Sequence, residues 1–183
     1  SVTGELGYEI HCRMGDHIAL RRLLLRAGAE CGIREFGFNA LLSLRLEKGF
    51  GIWSAEFTQG YTPGMTGMDR WIDWEKEEFI GQAAAIKERD GNGPAQKLVM
   101  LEIDADDADA SGYEPVWNND SLVGFVTSGG YGHTLKKSLA MALVNNDLAN
   151  ENQKLKVHVV GVEKDATVIQ ASPYDPEGKV MRV

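Results

Sequence analysis

The residues best suited to chemistry lie in one short run, Thr3-Gly4-Glu5-Leu6-Gly7-Tyr8-Glu9-Ile10, where glycines and carboxylates crowd a turn that leads into an apolar segment. In an extended segment the four-residue spacing of Glu5 and Glu9 puts both carboxylates on one face. Gly4 and Gly7 leave room for a ligand or another backbone to come close. Such a pair can act as general acid and base, bind a cation, or accept hydrogen bonds from an amino-substituted heterocycle. The plain structural alternative is a solvated hairpin with surface glutamates. The chain opens on this motif with no start methionine or leader before it, which is expected of a piece of a larger protein.

The remaining candidates are weaker. Thr127-Ser128-Gly129-Gly130-Tyr131-Gly132-His133-Thr134 could cradle a phosphate, but it lacks the lysine of a P-loop and no helix follows; a long turn between strands is the better expectation. Ser128 and His133 have no strand-turn-helix elbow around the serine, so they do not form a nucleophile pair. His11, His17, His133 and His158 have no metal spacing and are expected to be structural or on the surface. Trp53, Trp71, Trp74 and Trp117 could include a stacking wall for a planar ligand, with core or hairpin packing the favoured role. Lys136-Lys137 could meet an anion or sit in a solvated turn, and the turn is favoured. Cys12 and Cys31 are too few for a disulfide framework and are expected to be buried free thiols in a reducing compartment.

The elements that must position these residues fall into two unlike halves. In the first, residues 8–13 are β-compatible, and 17–29 and 38–48 carry apolar faces of helical period, the second broad enough to predict burial. Residues 50–68 read as a long ordered loop, 71–74 as a strand, and 77–89 as a helix with acidic residues in its first turn and Lys87 and Arg89 in its last. Asp90-Gly91-Asn92-Gly93-Pro94 is the clearest linker. Beyond it helix signals nearly vanish. Strands are predicted at 98–103, 116–117 with 122–126 as a hairpin, 138–144, 155–159 and 166–170, which together suggest a small antiparallel barrel or sandwich.

Composition limits the partners. The 183 residues suffice for one medium domain or two small ones, and a net charge of −8 argues against a nucleic-acid binder and against docking on an anionic membrane. No apolar run approaches the ~20 residues of a membrane span. A homo-oligomer remains compatible with this composition.

Read together, the motifs resemble the glycine cleavage T-protein (aminomethyltransferase) family. Thr3-Gly4-Glu5-Leu6-Gly7-Tyr8-Glu9 is similar to its Thr-Gly-Glu-x-Gly-x-Glu motif, and Leu44-Arg45-Leu46-Glu47-Lys48-Gly49 to its Leu-Arg-Leu-Glu-x-Gly helix end. Thr62-Pro63 with Gly67-Met68, Phe79-Ile80-Gly81-Gln82-Ala83-Ala84, and Val123 to Gly129 followed by Leu135 to Ala140 resemble further family segments in the same order. Trp53, Glu114-Pro115-Val116-Trp117 and the closing Ser172-Pro173-Tyr174-Asp175-Pro176 are similar to the folate-binding region of dimethylglycine and sarcosine dehydrogenases.

The resemblance implies an α+β fold: a partial folate-binding α/β region over residues 1–93, then a small antiparallel β-barrel over 94–183. It implies tetrahydrofolate as cofactor, an N-methyl amine as substrate, and FAD only in the parent chain outside this stretch. Glu9 would accept hydrogen bonds from the amino-pterin ring, Gly7 and Tyr8 would shape the same pocket, and Glu5 would hold the turn. No catalytic residue falls in this stretch, because the family's catalytic aspartate belongs to the preceding half. Leu41 stands where stand-alone members have an arginine that contacts folate, with Leu42 following in place of an acid. The implied location is cytoplasmic, or the mitochondrial matrix in a eukaryote. A stand-alone methyltransferase or demethylase and a non-catalytic folate-binding module are the alternatives.

Overall fold

The computed structural model describes residues 1–182. Four helices come first: α1 (His17–Ala27), α2 (Phe38–Glu47), the single turn α3 (Pro63–Thr66) and α4 (Gln82–Asp90). Six strands follow: β1 (Gln96–Ile103), β2 (Pro115–Asn118), β3 (Ser121–Gly132), β4 (Lys137–Asn145), β5 (Lys154–Val159) and β6 (Val162–Ile169). They close into an antiparallel barrel in the order β1-β4-β3-β2-β5-β6, so no strand edge is left open.

Alternation along the strands explains the barrel. Val99, Leu101 and Ile103 of β1 point inward with Ala140, Ala142 and Val144 of β4, Val157 of β5 and Val168 of β6. The intervening Met100, Leu139 and Met141 point outward, where Leu46 of α2 covers them. β4 is therefore buried on both faces, from Ser138 through Val144, and reads as a continuous apolar run rather than an alternating one. The same outer cluster fastens α2 to the barrel.

The barrel matches expectation, with one difference at its centre. Residues 127–132, expected as a turn or a phosphate loop, continue β3 and pair with β4 through Gly132↔Lys137. A bulge between Val126 and Ser128 absorbs the irregularity, and the long β4 supplies the ladder that glycines alone would not predict.

The first half departs more. Residues 8–13 form no strand until the 3-10 turn Met14–Asp16, since no neighbouring edge offers them a ladder. Residues 71–74 are not a strand either: Trp71 closes a 3-10 turn, and the Asp73 side chain accepts from the Glu75 amide at 3.1 Å. Trp74 lies under the Arg89 guanidinium, 4.4 Å from the ring centroid. α4 begins at Gln82 because Gly81 takes a left-handed φ of 87°, which leaves Glu77 and Glu78 outside its first turn. α2 buries only Arg45, Leu46 and Glu47, and Phe38 at its start is 70% exposed. Cys12 and Cys31 are free but exposed rather than buried; they lie in the segments flanking α1, a helix that itself buries nothing. Trp53 and Trp71 are likewise exposed, while Trp117 stacks on His158 in the barrel at 5.4 Å. Among the described residues, no helix is long and apolar enough to cross a membrane.

Candidate functional site

The opening motif holds its shape through the other end of the chain. Gly4 has a φ of 75° and lies against the Lys48 stem, where a Cβ would come within 2.5 Å of Lys48 Cγ. Tyr174 Oη donates to Glu5 Oε1 at 3.1 Å, and the Leu6 amide donates to the Val180 carbonyl at 3.1 Å. The hydrogen bond to Glu5 raises the Tyr174 phenol above its ordinary pKa. The structure therefore separates the paired carboxylates: Glu5 faces the C-terminal segment. Glu9 faces solvent, its side chain 79% exposed and 3.8 Å from His11 Nε2. The same-face expectation fails because the chain bends through residues 3–6 and forms no strand from there to Glu9.

Tyr8 lines a groove of about 370 Å³ together with Ile10, Leu20, Leu24, Leu25 and Ile33. Arg21 and Glu35 pair across its rim in a two-pronged contact at 2.7 and 2.6 Å, which raises the guanidinium pKa and lowers that of the carboxyl through mutual hydrogen bonding. Arg34 also lines the groove, with one nitrogen donating to the Ile33 carbonyl at 3.2 Å. An aromatic, apolar floor with guanidinium groups at its edge suits a flat heteroaromatic ligand with an anionic tail. Of the expected site residues, Tyr8 lines this groove, Glu9 lies next to it in the chain, Gly7 is open to solvent, and Glu5 is turned away to the C-terminal segment. Among the described residues, no cluster of His, Cys, Asp and Glu could hold a metal ion.

A second polar assembly, which motif spacing did not single out, joins this region to the barrel. Glu56 is 0% exposed. Its Oε1 accepts from Ser128 Oγ at 2.5 Å, and its Oε2 accepts from the Ile52 amide at 2.9 Å and faces Arg45 Nη1 at 3.4 Å. Burial lowers the Arg45 pKa, and Glu56 partly offsets that. Glu47 Oε1 accepts from the amides of Thr134 and Leu135 at 2.7 and 2.8 Å. Lys48 Nζ, 3% exposed as a side chain, pairs with Asp175 Oδ2 at 2.8 Å. The Asp175 carboxyl is held below its usual range, chiefly by Lys48 and then by the Lys179 and Val180 amides. Glu47 and Lys48 were visible only as motif letters. Glu56 sits in a loop where no periodicity marks burial.

A glycine-rich opening loop beside an open groove, tied by buried polar contacts to a closed six-stranded barrel, defines an α+β region with a barrel companion. Residues 1–76 match the GCVT N-terminal domain, and residues 96–175 match the glycine cleavage T-protein C-terminal barrel domain. The chain belongs to the glycine cleavage T-protein family. It is 38% identical over 170 residues to the mitochondrial dimethylglycine dehydrogenase of Rattus norvegicus, covering 93% of this chain and 20% of that protein. It is 33% identical over 178 residues to the aminomethyltransferase of Geobacillus sp. strain WCH70, covering 97% of this chain and 48% of that one. The crystal structure of the glycine cleavage system aminomethyltransferase T from Bartonella henselae superposes with a TM-score of 0.85 at 26% identity, covering 96% of this chain and 48% of that one. The chain thus spans between a fifth and a half of the length of these relatives.

Proposed function

We infer that this chain is the C-terminal part of a tetrahydrofolate-dependent aminomethyltransferase-like enzyme, of the kind found in dimethylglycine and sarcosine dehydrogenases. Residues 1–93 form the remainder of its folate-binding region, and residues 94–183 form the supporting barrel. The parent accepts a one-carbon unit from an N-methyl amine. An FAD-bearing region outside this chain oxidises the amine to an iminium, and the folate region passes the carbon to tetrahydrofolate as 5,10-methylenetetrahydrofolate.

The observation that carries this reading is the groove lined by Tyr8, Ile10, leucines, Ile33 and Arg34, with the solvent-exposed carboxylate of Glu9 one residue beyond Tyr8 in the chain. An ionised carboxylate can accept two N–H donors from an aminopterin ring. Tyr8 packs on the flat ring, Gly7 keeps the loop open for it, and Glu5 holds the loop. Leu41 removes one cationic contact that stand-alone relatives use, so Arg34 is the nearer cation for an acidic tail. The dimethylglycine dehydrogenase relatives favour the FAD-bearing parent, and the mitochondrial location of those enzymes favours the matrix in a eukaryote or the cytoplasm otherwise. The aminomethyltransferase relatives, about half covered, support a stand-alone enzyme as the second reading.

The test is to incubate the full-length protein with dimethylglycine or sarcosine and tetrahydrofolate, following 5,10-methylenetetrahydrofolate. Formation of that product with either amine is expected, and Glu9→Gln should weaken tetrahydrofolate binding by roughly tenfold or more in calorimetry. The 183-residue chain alone should bind weakly and catalyse nothing. Tight binding by the isolated chain would overturn the half-site reading.

A further inference from the structure

The opening loop has no ladder of its own. Among the described residues, the Leu6 amide to the Val180 carbonyl is the one backbone bond outside regular elements that residues 1–10 make. The loop is held instead by a strap formed by the last dozen described residues. Tyr174 is fixed from both ends: its amide donates to the Glu47 carbonyl at 3.0 Å, and its hydroxyl donates to Glu5 Oε1 at 3.1 Å. Asp175 fixes the strap's return. One carboxyl oxygen accepts from the Lys179 amide at 2.8 Å, and the other accepts from the Val180 amide at 3.2 Å and pairs with Lys48 at 2.8 Å. The Lys48 ammonium also lies 5.9 Å from the centre of the Tyr174 ring. Lys48 therefore contacts Gly4 with its stem, and Tyr174 and Asp175 with its head.

We propose that Tyr174 and Asp175 are positioning residues for the ligand wall at Gly7–Glu9, so that the chain's C-terminal strap sets the affinity of a site formed at its opposite end. Tyr174 is not among the residues that line the groove. It acts through Glu5, which lies two residues before Gly7 and four before Glu9. The hydroxyl ties the turn to a strap that α2 and Lys48 already anchor, and the peptide from Leu6 onward can point toward the groove only while that tie holds. Tyr8 and Glu9 are then presented in one orientation instead of many, which lowers the ordering cost of binding. The proposal rests on the folate reading for the identity of the ligand, but not for the latch itself.

Tyr174→Phe keeps the ring and removes only the hydroxyl, so the strap should still dock. In the full-length protein, exchange of the Leu6 amide, the one hydrogen-bonded backbone donor described in this stretch, should accelerate roughly 5- to 20-fold, with exchange in the barrel unchanged. The Kd for tetrahydrofolate should rise by a similar factor. Glu5→Gln, which retains an oxygen acceptor, should behave close to wild type. Glu5→Ala should match Tyr174→Phe, and the double variant should lose no more than Glu5→Ala alone. If wild type binds tetrahydrofolate and Tyr174→Phe leaves both exchange and Kd unchanged, the latch is overturned and the folate reading stands. If wild type binds no tetrahydrofolate, the folate reading fails and the exchange rates alone decide the latch. Losses from Tyr174→Phe and Glu5→Ala that simply add would also overturn it.

Discussion

The barrel and the region before it are built on opposite terms. Every buried apolar side chain except Leu46 lies between Val99 and Val168. By contrast Tyr8, Ile10, Met14, Ile18, Leu23, Ile33, Phe36, Phe38, Trp53 and Trp71 all stand exposed in the first half, and α1 buries nothing. The barrel closes on itself and satisfies both its core and its edges. The opening region instead leaves these apolar side chains uncovered, with Tyr8, Ile10 and Ile33 at the groove. It is fastened to the barrel half through Leu46, the Glu56–Ser128 hydrogen bond, the Glu47 bonds to the Thr134 and Leu135 amides, and the Lys48–Asp175 pair.

The seam is where the comparison breaks most sharply. Glu56→Ala strands Arg45 with its Nε already unpaired, and should cost roughly 3–5 kcal/mol, read as a lower urea midpoint. If the midpoint does not move, the two regions are not coupled through the Glu56–Ser128 contact. Next come matched truncations. Leu101→Ala, at 0% exposure inside the barrel, should cost roughly 2–5 kcal/mol. Leu24→Ala, 40% exposed on α1, should cost well under about 1 kcal/mol. Equal costs would mean that α1 is covered in solution.

Smaller effects sharpen the picture. Asp175 has a folded pKa below its unfolded value, so its stabilisation of the strap is present above the usual carboxylate pKa and is lost as pH falls through the depressed folded pKa. Protection of the Leu6 amide, taken relative to its intrinsic exchange rate at each pH, should therefore fall on acidification through and below the usual carboxylate range, and Asp175→Asn should flatten that fall. Removing Arg21, whose pair with Glu35 is solvent-exposed, should leave the urea midpoint unchanged.

The sequence made the barrel legible because each strand carries its own alternation, as in residues 155–159, and because tight turns separate them. The opening region was less legible for a physical reason: its residues do not satisfy one another locally. Residues 8–13 and 71–74 have strand-like composition but no partner edge. Glu56 and Asp175 draw their roles from contacts far away in the chain, with Ser128 and Lys48. The motif around Glu5 and Glu9 was visible at once. That its two carboxylates face different ways follows from Tyr174, 169 residues beyond Glu5, which no local pattern reveals.

The most direct test is amide hydrogen exchange of the full-length protein with and without saturating tetrahydrofolate. Protection should increase over residues 3–10 and across α1 to Glu35, while barrel amides from β1 to β6 stay unchanged. Protection confined to the barrel, or none anywhere, would contradict the assignment of the ligand wall to the opening region.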